Sequence, residues 1–475
     1  MALNLDERME RFNLYLNKTG LKHKGYQHDG VRWILNNELR DDPLCGVRGG
    51  FIADEMGLGK TIMMIGTFFC NFLPKTLIVV PPILVEQWRS QIYKTTGHKP
   101  LVYYGPDKKN ITAEELSKAI IVITSYELTK VKRENLLHKI EWDRIVFDEA
   151  HHLRNGNTKR NEGARALSGK IRWLVSGTPV QNKKQDFYSL CAMVGLPASF
   201  YTDPDNLRSF AKAFILKRTK LGVGIAMVPI VVDKNIVSWK NQREMEIAEK
   251  IHSLCSFNKG KEEKERKEGE EEKESSLFKG VNSSSPLALL LRARQACIYP
   301  KLLMNSLLKS SQYIEALTQS SKLNFVIQKI LERKGNGCGK LIFCHFRGEM
   351  DEIALRLREG GMTSVAQIDG RVSAVKRSQI LSDKNEAIIL QIQTGCEGLN
   401  LQENYSEIYF VSPHWNPAIE DQAVARCHRI GQKKPVFVEH FEMEKFDKAR
   451  SVDNYVGVVQ DFKRNIVNEY IEKCV

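Results

Sequence analysis

One glycine-rich segment constrains the fold of this chain more than any other. It lies between a short apolar run, Gly50-Phe51-Ile52-Ala53, and a longer apolar stretch that begins at Ile62, and this order predicts strand, loop, helix. The segment reads Asp54-Glu55-Met56-Gly57-Leu58-Gly59-Lys60-Thr61. Such a loop turns successive backbone N–H groups toward one point, and the helix that follows adds the positive end of its dipole.

The segment therefore predicts a polyphosphate-binding loop. In the pattern G-x-x-x-x-G-K-[ST], the lysine, here Lys60, reaches the β- and γ-phosphates, and the hydroxyl, here that of Thr61, lies on Mg²⁺. The match has one departure, because the pattern begins with glycine where this chain has Asp54. The alternative for this segment alone is an ordinary glycine turn between a strand and a helix.

Short apolar strands alternate with helical stretches in two blocks of the chain. The strands predicted in the first block are Phe51–Ala53, Thr76–Val80, Ala119–Thr124, Arg144–Phe147 and Trp173–Ser176. Those predicted in the second block are Lys340–His345, Thr363–Ile368, Ala387–Gln391 and Glu407–Val411. This alternation predicts an α/β fold built from βαβ units, with parallel sheets covered by helices.

Composition marks the boundary between the two blocks. Residues 259–274 are a run of mixed charge that cannot bury a core, so we expect a solvated or disordered loop at about 259–285. The predicted domains are a first lobe at 1–220, an insertion or linker at 221–315 and a second lobe at 316–450. A last helix is expected at 451–475, because the apolar residues there recur at helical spacing.

The bulk composition narrows the classes of partner and compartment. Lysine and arginine number 71 against 57 aspartate and glutamate, a formal net charge of +14, which favours a polyanionic partner, nucleic acid before a membrane surface. None of the ten cysteines forms a Cys-x-x-Cys pair, which argues against zinc fingers and a disulfide framework and favours a reducing compartment. No run approaches the ~18 apolar residues of a membrane span, and the first residues lack the apolar run of a secretory signal.

A second polar group follows a predicted strand. The strand at Arg144–Phe147 leads into Asp148-Glu149-Ala150-His151, which places two carboxylates at the edge where parallel sheets bind ligands. Mg²⁺ takes one or two carboxylates together with substrate phosphates, and Asp148 suits this role. Glu149 is placed to polarise an attacking water. The alternative is an acidic helix N-terminus, which the pair also favours.

Together these two segments resemble motifs I and II of superfamily-two helicases, in particular the Swi/Snf-type DNA translocases, whose motif I is usually spelled DEMGLGKT. Other segments resemble the remaining motifs in the family's order: the Q motif (Tyr26-Gln27 with Gly30 and Trp33), Ia (Leu77–Pro82 with Gln87-Trp88), Ib (Ile123–Glu127), III (Ser176–Asn182), the basic stretch that ends the first lobe (Ile215–Thr219), IV (Lys340–Arg347), V (Gly395–Leu401) and VI (Gln422–Gln432). The resemblance covers about residues 20–440. A match to six or more motifs in the family's order is highly specific for the family.

The resemblance implies two RecA-like lobes, with ATP and Mg²⁺ bound by the first. It assigns catalysis to five residues, Lys60, Asp148 and Glu149 together with Arg426 and Arg429 as arginine fingers from the second lobe. It assigns Mg²⁺ to Thr61 and Asp148. The residues implied to line the nucleotide site are Gln27, Asp54, Glu55, Met56, Gly57, Leu58, Gly59, Lys60, Thr61, His151 and Gln432. Motifs Ia, Ib, IV and V are implied to hold double-stranded DNA through sequence-independent backbone contacts.

The expected function is a DNA-dependent ATPase, a monomeric motor that translocates on duplex DNA and remodels or displaces bound protein. Its expected partners are chromatin or transcription proteins, and its expected location is the nucleus, or a viral replication site for a protein of a large DNA virus. The alternatives are a DEAH-type nucleic acid helicase, indicated by Asp148–His151, a viral transcription-termination ATPase, and a DNA-binding scaffold with an inactive ATPase fold. An inactive scaffold would lack one of the four residues Lys60, Asp148, Glu149 and Arg429. All four are present, which argues against it.

Overall fold

The computed structural model describes residues 4–131, 135–177, 184–255, 257, 285–303, 318, 320–395, 400–447 and 449–474. The chain divides into two compact units, unit 1 (Met1–Ala226 with Lys463–Val475) and unit 2 (Met227–Phe462). Three segments with predicted roles lie outside the described residues: 178–182 of motif III, 396–399 of motif V and 259–284 of the charged loop.

Unit 1 alternates helices with the strands of one sheet. Its helices are α1 (Leu5–Thr19), α2 (Gly25–Leu39), α3 (Lys60–Cys70), α4 (Val85–Thr96), α5 (Ala113–Lys118), α6 (Lys159–Arg165), α7 (Lys184–Val194), α8 (Ala198–Tyr201) and α9 (Leu207–Phe214). Its strands are β1 (Arg48–Ile52), β2 (Thr76–Val80), β3 (Leu101–Tyr103), β4 (Ile121–Ser125), β5 (Trp142–Asp148), β6 (Gly169–Val175) and β7 (Ile215–Leu216).

The sheet of unit 1 is parallel and is buried on both faces. Its strand order is β3-β4-β2-β5-β6-β1-β7, and every neighbouring pair is parallel. Successive residues of a strand point to opposite faces, and in β5 Ile145 and Phe147 join one hydrophobic cluster while Val146 joins another. Helices α1 to α4 cover the face of Val146, and α7 and α9 cover the other. Such coverage is typical of parallel sheets.

Unit 2 has the same kind of layout. Its strands are β8 (Ile230–Val237), β9 (Gly339–Cys344), β10 (Val365–Ile368), β11 (Ala387–Gln391), β12 (Tyr405–Phe410) and β13 (Val436–Met443). Its helices are α10 (Gln242–Ser253), α11 (Pro286–Ile298), α12 (Ser321–Glu332), α13 (Arg347–Glu359), α14 (Ala374–Ser382), α15 (Ile392–Gly395), α16 (Pro417–Val424) and the start of α17 (Val452–Cys474).

The six strands described in unit 2 also form a parallel sheet with two buried faces. Their order is β10-β11-β9-β12-β13-β8. In β9, Ile342 packs with residues of α10 to α13, whereas Leu341 and Phe343 pack with Ala423 of α16. The edge strand β8 leaves apolar side chains such as Ile236 exposed.

The predicted α/β class with two parallel sheets is confirmed. Each predicted strand overlaps an observed one, and Thr76–Val80 and Ala387–Gln391 coincide with β2 and β11. Strands β3, β7 and β13 were not predicted. Residues from 230 of the predicted insertion contribute β8, α10 and α11 to unit 2. No described helix has the length and apolar character that crossing a membrane requires.

Candidate nucleotide and metal site

The glycine loop connects the end of β1 to the start of α3. Gly57 has φ 93° and Gly59 has φ 86°, backbone conformations that side chains other than glycine rarely adopt. A Cβ at Gly59 would lie 2.3 Å from Nε2 of Gln27. The loop therefore needs glycine at position 59 both for its turn and for the close approach of Gln27.

Two side chains hold the interior of this loop. Gln27, which is buried in α2, donates a hydrogen bond from Nε2 to the carbonyl oxygen of Leu58 at 3.0 Å. Lys60 donates from Nζ to the carbonyl oxygen of Asp54 at 2.8 Å. The amine predicted to reach the phosphates thus contacts the loop backbone. Gln27, which is predicted to line the nucleotide site, contacts the loop at Leu58.

The two acidic residues of the loop are paired with the segment that follows β7. Both carboxylate oxygens of Asp54 accept hydrogen bonds from Arg218, one of them from Nε at 3.1 Å. Glu55 accepts from the backbone N–H of Lys220 at 2.7 Å and lies 2.8 Å from its Nζ. These pairs neutralise two negative charges that would otherwise repel a polyphosphate. In this structure Asp54 and Glu55 shape the loop through their partners.

Arg218 also connects the loop to the helix that carries Gln27. It donates a hydrogen bond to the carbonyl oxygen of Tyr26, and its guanidinium carbon lies 5.8 Å from the centre of the Tyr26 ring. A Cβ at Gly30 would lie 2.7 Å from Nη2 of Arg218 and 2.6 Å from Sδ of Met63. The glycine at position 30 therefore leaves the space that Arg218 occupies.

The ends of three neighbouring strands bring the loop close to the predicted carboxylates. Val175 of β6 pairs with Ile52 of β1 on one side and with Asp148 of β5 on the other. Just beyond β6, a Cβ at Gly177 would lie 3.5 Å from Nζ of Lys60. The glycine loop and Asp148 therefore lie at the same carboxyl edge of the sheet, one strand apart.

Asp148 is held at three points. Its Oδ2 accepts a hydrogen bond from Nε1 of Trp88 at 2.7 Å, and its Oδ1 accepts from the N–H of Glu149 at 3.0 Å. Its carbonyl oxygen accepts from the hydroxyl of Tyr126 at 2.6 Å. Burial, and next the charge of Glu149, raises the pKa of Asp148 to about 6, whereas the Trp88 hydrogen bond and Lys60 act in the opposite direction.

Glu149 has an unusual backbone conformation. With φ 52° and ψ 49° it lies in the left-handed region, which costs a residue with a Cβ roughly 1–2 kcal/mol. Strain of this kind collects at functional sites. Its Oε2 lies 3.3 Å from Nδ1 of the buried His151, whose ring stacks on His152 at 4.7 Å. The backbone therefore changes from extended at Asp148 to left-handed at Glu149.

The donor groups at this edge fit Mg²⁺. Asp148 offers a carboxylate and Thr61, at the start of α3, offers a hydroxyl, and both are hard oxygen ligands of the type this ion prefers. Among the described residues no group of three or more His, Cys, Asp or Glu is arranged to hold a metal by itself. A Mg²⁺ bound mainly by water and substrate phosphates does not require such a group.

A large cavity of unit 1 adjoins the same elements. Its volume is about 1090 Å³, and it is lined by residues of α2 and of the segment after β7, among them Tyr26, Trp33, Arg218 and Thr219. It therefore lies next to the residues that brace the glycine loop.

In unit 2 the predicted arginine fingers follow α16. Arg426 is buried, and Arg429 donates a hydrogen bond to Oδ1 of Asn400. Burial, and next the charge of Arg426, lowers the pKa of Arg429 to about 10. The two guanidinium groups are therefore close enough for their charges to repel.

Gln432 is engaged within unit 2. Its Nε2 donates to the carbonyl oxygens of Tyr405 at 2.9 Å and Cys427 at 3.3 Å. Its Oε1 accepts from the N–H groups of Lys433 and Lys434 at 2.9 and 3.0 Å. These four bonds use the whole amide group, and they fix the turn between the arginines and β13.

Trp88, Tyr126 and Arg218 hold the site, although none of them was predicted as a site residue. Each lies in a segment that resembles a motif, but a motif does not identify the partner of each side chain. The sequence signal for Trp88 and Tyr126 is their polar groups, because a buried tryptophan or tyrosine needs a hydrogen-bond partner for its N–H or O–H group.

Comparisons with known proteins agree with this arrangement. Residues 26–302 match the SNF2-related domain, and residues 321–431 match the helicase conserved C-terminal domain. The chain is 26% identical over 476 residues to the probable global transactivator of Orgyia pseudotsugata multicapsid polyhedrosis virus, a match that covers 94% of this chain and 91% of that protein. It is 27% identical over 475 residues to the ISWI chromatin-remodeling complex ATPase ISW2 of Saccharomyces cerevisiae, covering 89% of this chain and 39% of that protein.

Among solved structures, the SWI2/SNF2 ATPase core of Sulfolobus solfataricus in complex with double-stranded DNA matches with a TM-score of 0.40 and 23% identity, covering 95% of this chain and 93% of that chain. Other relatives, from Arabidopsis thaliana, yeast, zebrafish and mycoplasmas, are longer, and the chain spans between 13% and 59% of their length.

Proposed function

The chain belongs to the SNF2-related family of helicase-like ATPases, and from this premise we propose that it is an ATP-dependent translocase on double-stranded DNA. Its movement would remodel or displace protein bound to the DNA. The observation that carries the proposal is the register of β1, β6 and β5, which brings the glycine loop and Asp148 to one edge of unit 1. Similarity to proteins named for chromatin remodeling and DNA excision repair supports the same activity.

In the proposed reaction, unit 1 binds ATP. The N–H groups of the glycine loop and Lys60 would hold the β- and γ-phosphates, as such loops do. Lys60 would exchange its present bond to the Asp54 carbonyl oxygen for a phosphate oxygen. The cavity beside Tyr26 and Trp33 is large enough for a base and ribose, and Gln27, the neighbour of Tyr26 in α2, contacts the loop at Leu58.

Hydrolysis would use the two carboxylates in different roles. Thr61 and Asp148 would hold Mg²⁺, which neutralises charge on the β- and γ-phosphates when bound. Glu149 would orient and deprotonate the attacking water. Glu149 follows β5 with a left-handed backbone, a conformation different from that of Asp148 in the strand, which supports a separate role for its carboxylate. Arg426 and Arg429 are proposed as the arginine fingers that stabilise the charge of the transition state.

The proposed partner is double-stranded DNA, held through phosphate contacts from motifs Ia, Ib, IV and V. The formal charge of +14 favours such a polyanion. The chain would act as a monomer, either in the nucleus or at a viral replication site, on chromatin or transcription proteins. Its similarity both to a viral transactivator and to a chromatin-remodeling ATPase supports these two settings.

ATP turnover with different nucleic acids tests the proposal. Release of phosphate should rise with duplex DNA and rise less with single strands or duplex RNA. Lys60→Ala and Glu149→Gln should each abolish turnover while DNA binding is retained, because neither residue lies in a DNA-contacting motif. Arg429→Ala should lower turnover by about 10³-fold or more, with ATP binding nearly unchanged. Lys118→Ala, which removes an exposed lysine of α5, is the matched control and should behave like wild type.

Movement along DNA requires a separate measurement. Displacement of a third strand from a DNA triplex, with ATP and without separation of the underlying duplex, is the expected result for a duplex translocase. Separation of the duplex strands would instead indicate a DEAH-type helicase. Preferred stimulation by RNA would contradict the proposal, and DNA binding without any turnover would indicate a scaffold.

A further inference from the structure

Two aromatic side chains reach Asp148 from different segments of unit 1. Trp88 lies on α4, and its indole N–H donates to Oδ2 of Asp148 at 2.7 Å. Tyr126 follows β4, in the turn Tyr126–Thr129, and its hydroxyl donates to the carbonyl oxygen of Asp148 at 2.6 Å. Both rings are buried, with 1% and 2% of their surface exposed, so water does not compete for either bond.

We propose that Trp88 and Tyr126 are positioning residues for the two carboxylates, an inference that rests on the proposed ATPase function. Trp88 and the N–H of Glu149 each occupy one oxygen of Asp148, which fixes the orientation of the carboxylate toward Mg²⁺. Tyr126 fixes the carbonyl group of the peptide between Asp148 and Glu149, and the orientation of this peptide sets the left-handed conformation of Glu149.

A second contact connects Tyr126 to Glu149. The Tyr126 ring lies 5.4 Å from the ring of His152, which stacks on His151 at 4.7 Å. Nδ1 of His151 lies 3.3 Å from Oε2 of Glu149. The turn after β4 therefore reaches both the backbone and the side chain of the proposed general base.

Trp88 and Tyr126 also connect the segments proposed to hold DNA with the two carboxylates. Trp88 belongs to motif Ia and Tyr126 to motif Ib, the segments proposed to hold the DNA backbone. A shift of α4 or of the turn after β4 on DNA binding would move the donor atoms that orient Asp148 and Glu149. The dependence of ATP hydrolysis on DNA would then pass through these two hydrogen bonds.

Trp142 is a buried tryptophan whose hydrogen bond is purely structural, so it serves as a control for Trp88. Trp142, at the opposite end of β5 from Asp148, donates from Nε1 to the carbonyl oxygen of Leu137 at 3.0 Å and is fully buried. Loss of this bond would affect packing but not the carboxyl edge. Trp142→Phe is therefore a matched control for Trp88→Phe, which removes the N–H donor and keeps an aromatic ring.

The first experiment measures the Mg²⁺ requirement of nucleotide binding, without turnover and without DNA. A fluorescent ADP analogue is bound at equilibrium while Mg²⁺ is titrated. The Mg²⁺ concentration for half of the effect should rise about 10- to 100-fold in Trp88→Phe, the usual cost of losing a partner of a metal ligand, and stay within about 2-fold of wild type in Trp142→Phe. An unchanged requirement in Trp88→Phe, or an equal rise in both variants, overturns the proposal.

A second variant protects this experiment against misfolding. Incorporation of 3-benzothienylalanine at position 88 replaces the indole N–H by sulfur at nearly constant shape, and it should raise the Mg²⁺ requirement in the same way. Saturating Mg²⁺ should restore nucleotide binding in either variant, which it would not do for a defect of folding. Failure of Mg²⁺ to restore binding counts against the positioning role.

The second experiment measures the coupling to DNA. At saturating Mg²⁺, Trp88→Phe and Tyr126→Phe should lower the ratio of DNA-stimulated to basal turnover by about 10-fold. DNA affinity should be unchanged, because both side chains are buried and do not reach the surface of motifs Ia and Ib. Tyr93→Phe, on the exposed side of α4, is the control and should keep the wild-type ratio. Wild-type ratios in both test variants overturn the coupling. Absence of stimulation in the wild-type chain would contradict the proposed function, and the Mg²⁺ requirement would still decide the positioning role.

Discussion

Glu38→Gln is expected to destabilise unit 1 severely, although Glu38 lies outside every predicted motif. Its carboxylate is fully buried and accepts four hydrogen bonds. Two come from Arg144, at 2.7 Å from Nε and 2.5 Å from Nη2. The others come from Nε1 of Trp173 and Nδ2 of Asn71, each at 2.8 Å. The pair joins α2, which carries Gln27, to β5, which ends at Asp148.

The size of the effect follows from the charge that the substitution leaves behind. Arg144 has no exposed side-chain surface, and a glutamine at position 38 offers it one oxygen and no negative charge. Removal of one partner from a buried ion pair costs about 3–5 kcal/mol, whereas replacement of both partners by apolar residues is often nearly neutral. The double variant Glu38→Leu with Arg144→Met should therefore be more stable than Glu38→Gln alone.

Urea unfolding followed by tryptophan fluorescence measures this difference. Four of the six tryptophans, Trp33, Trp88, Trp142 and Trp173, lie in unit 1, so the signal reports mainly on that unit. The control is Glu114→Gln, which breaks an ion pair whose side chains are 73% exposed and should cost less than about 1 kcal/mol. A loss below about 1 kcal/mol for Glu38→Gln would refute the reasoning.

Two further predictions concern other paired or buried charges. Arg218→Lys keeps the charge beside Asp54 but loses the two hydrogen bonds to its carboxylate. The dissociation constant of a fluorescent ADP analogue should therefore rise roughly 10-fold, a loss of about 1.5 kcal/mol of binding free energy. Arg208→Lys, at an exposed position, is the control, and equal dissociation constants for both variants would contradict the role of Arg218 in bracing the loop. Burial raises the pKa of Glu244 from 4.5 to about 7, so between these values the native chain binds more protons than the unfolded chain and loses stability as pH rises. Glu244→Gln lacks this dependence of stability on pH. Its free energy of unfolding relative to wild type should increase from pH 5 to pH 8 by at most about 3 kcal/mol. If urea unfolding gave the same difference in stability at both pH values, the pKa of Glu244 would not be raised.

The carboxyl edge of unit 1 was predictable because its signals are local. A glycine loop between an apolar strand and an apolar helix is read from about 20 consecutive residues. Asp148 and Glu149 follow the buried strand β5 directly, and parallel strands bring such ends to one edge. The structure adds the register, in which Val175 lies between Ile52 and Asp148, and a register cannot be derived from the strands taken one at a time.

The missed strands lack the signal on which the predictions were based. Strands β3 and β7 contain three and two residues, too few to show a period. Strand β13 begins with the apolar residues Val436-Phe437-Val438, but the polar residues Glu439, His440 and Glu442 interrupt the rest of its apolar pattern. Its partners on both sides, β12 and β8, are what make it a strand.

The remaining features that could not be predicted are contacts between side chains that lie far apart in the sequence. Arg218 and Asp54 are 164 residues apart, and Trp88 and Asp148 are 60 residues apart. Motif resemblance placed all four residues in functional segments, but the donor that faces each carboxylate depends on the packing of α4 and of the end of β7 against the sheet. Arg144 illustrates the same limit, since its charge in a strand interior is stable only because Glu38 lies opposite.

Two of the charged groups in strand β5, Arg144 and Asp148, are therefore stabilised in different ways. Near its amino end, Arg144 is enclosed with Glu38 and has no role at the carboxyl edge. At its carboxyl end, Asp148 keeps 8% of its surface exposed and accepts from Trp88, so part of its hydrogen-bonding capacity stays available to a metal and its water. It follows that Glu38→Gln should lower the free energy of unfolding while the folded fraction keeps its Mg²⁺ requirement, and that Trp88→Phe should raise the Mg²⁺ requirement with a smaller loss of stability. If Glu38→Gln raised the Mg²⁺ requirement as much as Trp88→Phe does, β5 would transmit strain between its ends, and the separate roles assigned to Glu38 and Trp88 would be wrong.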